Sequence, residues 1–133
     1  MDPTYPFAPK STRWLRRGQF WTLHLADGKF GAACVVGSHL SSGKASSRVF
    51  IAGVVNWVGT SPPAPADLEK LPIISHAFAH IKAIADGGGE VLGWANIDLT
   101  GAPESAESLS LSSWGFHFPT LLAQKLAEQA MYE

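Results

Sequence analysis

The side chains of this 133-residue chain that can transfer protons, hold a metal or attack an electrophile near neutral pH are five histidines and one cysteine. His76 and His80 stand four residues apart, a spacing that puts both on one face of a helix or on one side of a strand. To hold zinc they would need a third donor, with His24, His117 and Asp98 as the choices. The plainer reading makes them half-exposed histidines on the solvent side of a hairpin, and no metal site is expected. His24, with Lys82 or Arg48 to offset phosphate charge, is the minimum set for acid–base cleavage of RNA. That set draws only on common residues. There is no GxSxG elbow, phosphate-binding P-loop or HExxH pair, and Gly87-Gly88-Gly89 does not open a helix with the spacing of a dinucleotide loop. No catalytic residue and no cofactor are therefore expected. Cys34, being alone, cannot close an internal disulfide and reads as a small buried apolar residue.

Binding chemistry is better represented. Arg13-Trp14-Leu15-Arg16-Arg17 is a basic cluster with an aromatic inside it, the composition of a small phosphate or nucleic-acid contact. The alternative is that Trp14 packs on the sheet while the arginines stay in water. The net charge is −1, yet residues 1–50 carry seven Lys/Arg against two acids, whereas residues 51–133 carry three against nine. An acid-rich half suits an encounter with a basic partner, and its candidates are Asp86, Glu90, Asp98, Glu104 and Glu107. Five tryptophans are many for this length; most should fill core, and one at a rim would anchor a protein partner. Trp114, in Ser113-Trp114-Gly115-Phe116-His117-Phe118, has the least regular surroundings and is the candidate anchor.

These residues must be positioned by the elements around them. Residues 1–12 hold three of the nine prolines, Pro3, Pro6 and Pro9, without periodicity and read as an extended arm. Residues 19–25 and 30–36 flank Asp27-Gly28, which suits a two-residue type I′ hairpin. That loop would place Leu25 opposite Phe30, Leu23 opposite Ala32 and Trp21 opposite Cys34, leaving His24 across from Gly31 on the polar face. A Ser/Gly-rich loop at 38–47 leads to residues 48–58, apolar on both alternating sets and so a central strand, with Gly53 marking a bend or bulge. Prolines 62, 63 and 65 precede one helical turn at 66–71. Residues 73–85 fit a helical stripe and a strand alike, and are read as a strand that pairs through the 86–89 turn with a strand over 90–98. Residues 99–113 are a polar loop, and 119–131 an amphipathic helix with Leu122, Leu126 and Ala130 on its buried face. The expected fold is one α+β domain: a strongly bent antiparallel sheet of four to five strands around residues 17–97, or a half-open small β-barrel, with a C-terminal amphipathic helix.

The run Arg17-Gly18-Gln19-Phe20-Trp21-Thr22-Leu23-His24-Leu25-Ala26-Asp27-Gly28-Lys29-Phe30-Gly31-Ala32-Ala33-Cys34-Val35-Val36 resembles the opening of the immunity protein 26 family. Glu90-Val91-Leu92-Gly93-Trp94-Ala95-Asn96-Ile97 is similar to that family's later tryptophan-and-glycine strand. Gln19 stands where an acid is common, and glycine and tryptophan near position 94 are in reversed order. The resemblance implies an immunity protein of a bacterial polymorphic-toxin or contact-dependent inhibition system. It would bind the C-terminal domain of a cognate toxin, a nuclease by expectation, and neutralise it by occlusion. Asp86, Glu90, Asp98, Glu104, Glu107 and Trp114 would be the partner-binding residues. A small-ligand or nucleic-acid-binding barrel using Arg13, Arg16, Arg17 and Arg48 is the alternative, and a histidine-dependent ribonuclease a further one. With 46% hydrophobic residues, a single cysteine and no apolar run of membrane-spanning length, the chain is expected in the cytoplasm with no membrane partner, and nucleic acid is the less favoured ligand.

Overall fold

The computed structural model describes residues 4–86 and 88–130. Its centre is a six-stranded, mainly antiparallel sheet of β1 (Gln19–His24), β2 (Phe30–Ser41), β3 (Lys44–Gly59), β4 (Ile73–His80), β5 (Gly93–Trp94) and β6 (Ser105–Glu107). The main order is β4-β3-β2-β1-β5, with β6 running parallel to β2 beyond the end of β1. Three helices accompany it: α1 (Pro65–Leu68), α2 (Lys82–Asp86) and α3 (Phe118–Ala130). The fold is thus α+β with a C-terminal helix. The sheet is open, with β4 and β5 at opposite sides, so it does not close into a barrel, and it has six strands rather than the expected four to five.

Both faces are covered because both alternating sets of its long strands are apolar. One core gathers Trp21, Leu23, Ala33, Val35, Phe50 and Val54 under α2 and α3. The other gathers Phe20, Cys34, Val36, Ile51, Val55 and Phe78 under α1 and the 95–102 segment. As expected, β3 is internal. The β2–β3 connection is tighter than a loop over 38–47: Ser41 pairs with Lys44 across Ser42-Gly43, both at positive φ.

The first hairpin keeps its expected turn but not its expected register. Asp27 and Gly28 both take positive φ, and the Lys29 N–H donates to the Ala26 carbonyl at 3.3 Å. Leu25 N–H then also bonds to Lys29, at its carbonyl (2.9 Å), so that two residues face one. This bulge pairs His24 with Phe30, Leu23 with Gly31 and Phe20 with Cys34. The Ala26 N–H that leaves the ladder finds the Gln124 Oε1 of α3 at 2.9 Å.

The expected hairpin between 73–85 and 90–98 does not form. Ile73–His80 is a strand, but Ala83 and Ile84 bury in α2, and Gly89, at φ 91°, closes that turn with its N–H on the Ile84 carbonyl at 2.9 Å. The chain thereby crosses beneath the sheet and returns at its far side, where Gly93 pairs with Phe20 and Trp94 with Gln19. The edge of β4 is met instead by the 112–114 segment, through Phe78 N–H to Ser112 and Trp114 N–H to Phe78, each 2.8 Å. The α3 helix falls where expected, yet its buried face is Pro119, Ala123 and Ala127, with Leu121 left 49% exposed. Small residues face the sheet because the approach is close: a Cβ on Gly31 would lie 2.7 Å from the Ala123 Cβ. Gly31→Ala is therefore expected to destabilise the protein by about 1–3 kcal/mol, read from urea unfolding, since neither a strand backbone nor an alanine can turn aside.

Candidate functional site

Of the six residues expected at one interface, Asp86 and Asp98 stand on segments that pack on opposite faces of the sheet. Asp86 follows Ala83 and Ile84, which pack on one face of the sheet, whereas Asp98 sits between Ile97 and Leu99, which pack on the other. Asp86 is engaged by His117, Oδ2 to Nδ1 at 2.9 Å. Asp98 turns back onto its own loop: the Thr100 side chain, then the Thr100 N–H (3.1 Å to Oδ1), hold its carboxyl below the ordinary range. Glu104 precedes β6 and Glu107 is its last residue, and Glu90 is exposed between Gly89 and Val91. Trp114 packs against the core with its ring 5.7 Å from that of Phe118, fastening the start of α3 rather than standing at a rim.

The histidines are equally dispersed. His24 is at the end of β1 beside Phe30, which pairs with Gly59, whereas His80 is opposite Val49 at the other end of β3. Lys82 and Arg48 accompany His80, so the His24–Lys82/Arg48 set is not assembled. His80 accepts the Lys82 N–H at Nδ1 (3.1 Å), and desolvation, then Lys82 and Arg48, lower its pKa. Among the described residues no three His, Cys, Asp or Glu side chains come together as a metal site. Cys34 is fully buried and opposite Phe20, not Trp21.

What the structure does assemble is an aromatic and basic face around Gln19. This residue is fully buried, and its amide is satisfied three times. Its Oε1 accepts the Arg16 N–H at 2.7 Å, while Nε2 donates to the Trp14 carbonyl at 3.1 Å and to the Tyr5 hydroxyl at 3.2 Å. Its strand partner is Trp94. The indole N–H of Trp94 donates to the Arg17 carbonyl at 2.9 Å, and the ring lies over Gly18, where a Cβ would come within 2.3 Å of Nε1. Three aromatics thus attach at or next to Gln19, Tyr5 by its hydroxyl, Trp14 by its main-chain carbonyl and Trp94 as the strand partner, and they are exposed by 36%, 38% and 51%. Arg13 lies over the Trp14 ring, 5.2 Å from its centre. The residue of the basic cluster that packs inward is Leu15, not Trp14.

The arm is joined to this face through Phe7, which exchanges two backbone bonds with Val91 (3.1 and 2.8 Å). Arg17, in contrast, is structural. Its guanidinium donates to the carbonyls of Val36 (2.8 Å), Leu99 and Ala102 (3.1 Å each), tying β2 to the covering segment. Tyr5 and Trp94 were not among the expected site residues. For Trp94 the signal is present in residues 91–100, where Val91, Gly93, Ala95, Ile97 and Leu99 alternate with Leu92, Trp94, Asn96, Asp98 and Thr100. Trp94 belongs to the polar set, and the polar set faces water.

Cys34 offers a check on the interior. Burial pushes its thiol up to about 12, against a Gly53 backbone hydrogen bond and the Arg17 charge, which act the other way. A group raised on folding stabilises the native state fully below its unfolded value and loses that contribution as pH rises toward the folded one. The unfolding free energy of wild type should therefore fall, relative to Cys34→Ala, as pH rises above about 9, in paired denaturant titrations. Compared with known proteins, the chain matches no protein-family model, no curated protein and no solved structure.

Proposed function

We propose that this chain is a cytoplasmic immunity-type protein that binds the toxic domain of a bacterial effector and neutralises it by occlusion. The reading rests on the sequence resemblance and is supported structurally by one observation: the partly exposed Tyr5 and Trp14 are both tied to the buried Gln19 amide, the exposed Trp94 is the strand partner of Gln19, and Arg13 lies over the Trp14 ring. Tryptophan, tyrosine and arginine are the residue types that dominate binding energy at protein interfaces, and rings held in place lose little freedom on docking. The described residues contain no helix long and apolar enough to cross a membrane. The partner surface suited to this face is apolar at its centre and acidic at its rim. A basic nuclease cleft would need the acidic residues to converge, and Asp86 and Asp98 stand on segments that pack on opposite faces of the sheet.

A nucleic-acid ligand has one observation in its favour, the exposed Trp14 among arginines. It predicts RNA affinity that falls steeply with salt. The immunity reading predicts none. It predicts instead that co-expression with the polypeptide encoded immediately upstream gives a stable one-to-one complex by size exclusion with mass determination, and that the host survives only when this protein is present. Trp94→Ala should weaken that complex by about 30-fold or more, the loss of a central aromatic anchor. A toxic upstream product that forms no complex, or a complex indifferent to Trp94→Ala, would set the proposal aside.

A further inference from the structure

A second site lies next to the aromatic face but is distinct from it. Between the 3-10 turn at Thr12–Trp14, the β2–β3 hairpin and β6 is a cleft of about 450 Å³. Leu15, Val35 and Phe50 form its apolar floor, and Arg16, Ser38 and Glu104 part of its rim. A volume of this size suits a single small molecule.

Charge around the cleft is mainly positive. The turn is held to β3 by Thr12, whose hydroxyl donates to the Ser46 carbonyl, and by Arg48, whose Nη1 reaches the Lys10 carbonyl at 3.4 Å. These contacts bring Lys10, Arg13, Arg16, Arg17 and Arg48 to one end of the sheet. Among the described residues the ion pair within 4 Å is His117–Asp86, so none of the five cations has a carboxylate partner. Even Glu104, on the same rim, is not paired with Arg16 or Arg17. Arg16 is also oriented. Its Nη1 donates to the Arg13 (2.9 Å) and Leu15 (3.0 Å) carbonyls, which fixes the plane of the guanidinium and leaves Nε and Nη2 without an acceptor among the described residues. An oriented, unpaired guanidinium above an apolar floor matches a ligand with a compact anionic head and an apolar body.

We infer that this cleft binds a small amphipathic anion, a carboxylate, sulfonate or phosphate carried on an aromatic or aliphatic body. The anionic head takes the Arg16 side and the body lies on Leu15, Val35 and Phe50, away from the Glu104 carboxylate. The inference does not depend on the immunity reading.

The probe is 8-anilinonaphthalene-1-sulfonate, titrated by fluorescence into the whole protein at low salt, with phenyl phosphate as competitor. Saturable one-to-one binding is expected, displaced by phenyl phosphate and weakened by added salt. Arg16→Glu should weaken it by about tenfold or more, the effect of losing one charge-assisted contact. Glu104→Gln should strengthen it. Should the charge reversal disturb folding by circular dichroism, Arg16→Gln, which removes the guanidinium without introducing a negative charge, serves in its place. The competing surface is the exposed groove of Phe118, Leu121 and Leu122 on α3, and Leu121→Lys should leave binding unchanged. Absence of saturable binding would overturn the inference. So would binding that survives Arg16→Glu and is lost in Leu121→Lys.

Discussion

The buried amide of Gln19 is the interaction on which the binding face depends. A primary amide in a water-free site must be satisfied at both ends, and an unmet donor or acceptor there costs about 1–3 kcal/mol. Gln19 meets the requirement by taking the Arg16 N–H and giving to Trp14 and Tyr5, so two pieces of the N-terminal region, the Tyr5 segment and the 14–16 turn, are fixed to one point of β1. The strand ladder adds Trp94 from the other side. Tyr5 is held by its hydroxyl, Trp14 by its main-chain carbonyl and Trp94 by its indole N–H on the Arg17 carbonyl, while their rings stay partly exposed. That is how a small protein can keep three aromatics in water in a defined arrangement.

The rest of the sheet exists to hold that edge still. β2 and β3 are long, apolar on both sides and covered on both faces, which makes the middle of the molecule rigid. Arg17 fastens one cover through three carbonyls, and the Gly31–Ala123 approach seats α3 as the other. The bulge at Leu25-Ala26 and the Gln124 side chain that satisfies it belong to the same arrangement, since the shift in register lets the close-packed helix supply the missing acceptor.

How much of this the sequence discloses follows from where its signals were one-sided. The Asp27-Gly28 turn was legible because φ requirements are local, and so was α3, whose proline start and period are strong. The register was not, because Ala32-Cys34-Val36 and Ala33-Val35 are equally apolar, and a slip by one residue exposes nothing. The fate of 81–89 was hidden for a similar reason: a single helical turn has no period to read, and its glycines suit a stop and a hairpin alike. The acidic residues were grouped by count along the chain, but the crossing made by α2 divides them between faces. Residues 91–100 did carry a readable alternation, and it places Trp94 in the solvent-facing set. Gln19 is different. Nothing in a linear sequence shows that one glutamine will gather three partners from positions 5, 14 and 16.

The most direct test of this account is amide hydrogen exchange of the protein with and without its upstream-encoded partner. Protection on binding is predicted in residues 5–20 and 91–96, the segments that form and support the aromatic face. Protection confined to 98–107 and 86–90, with the Gln19 region unchanged, would contradict it and return the interface to the acidic loops.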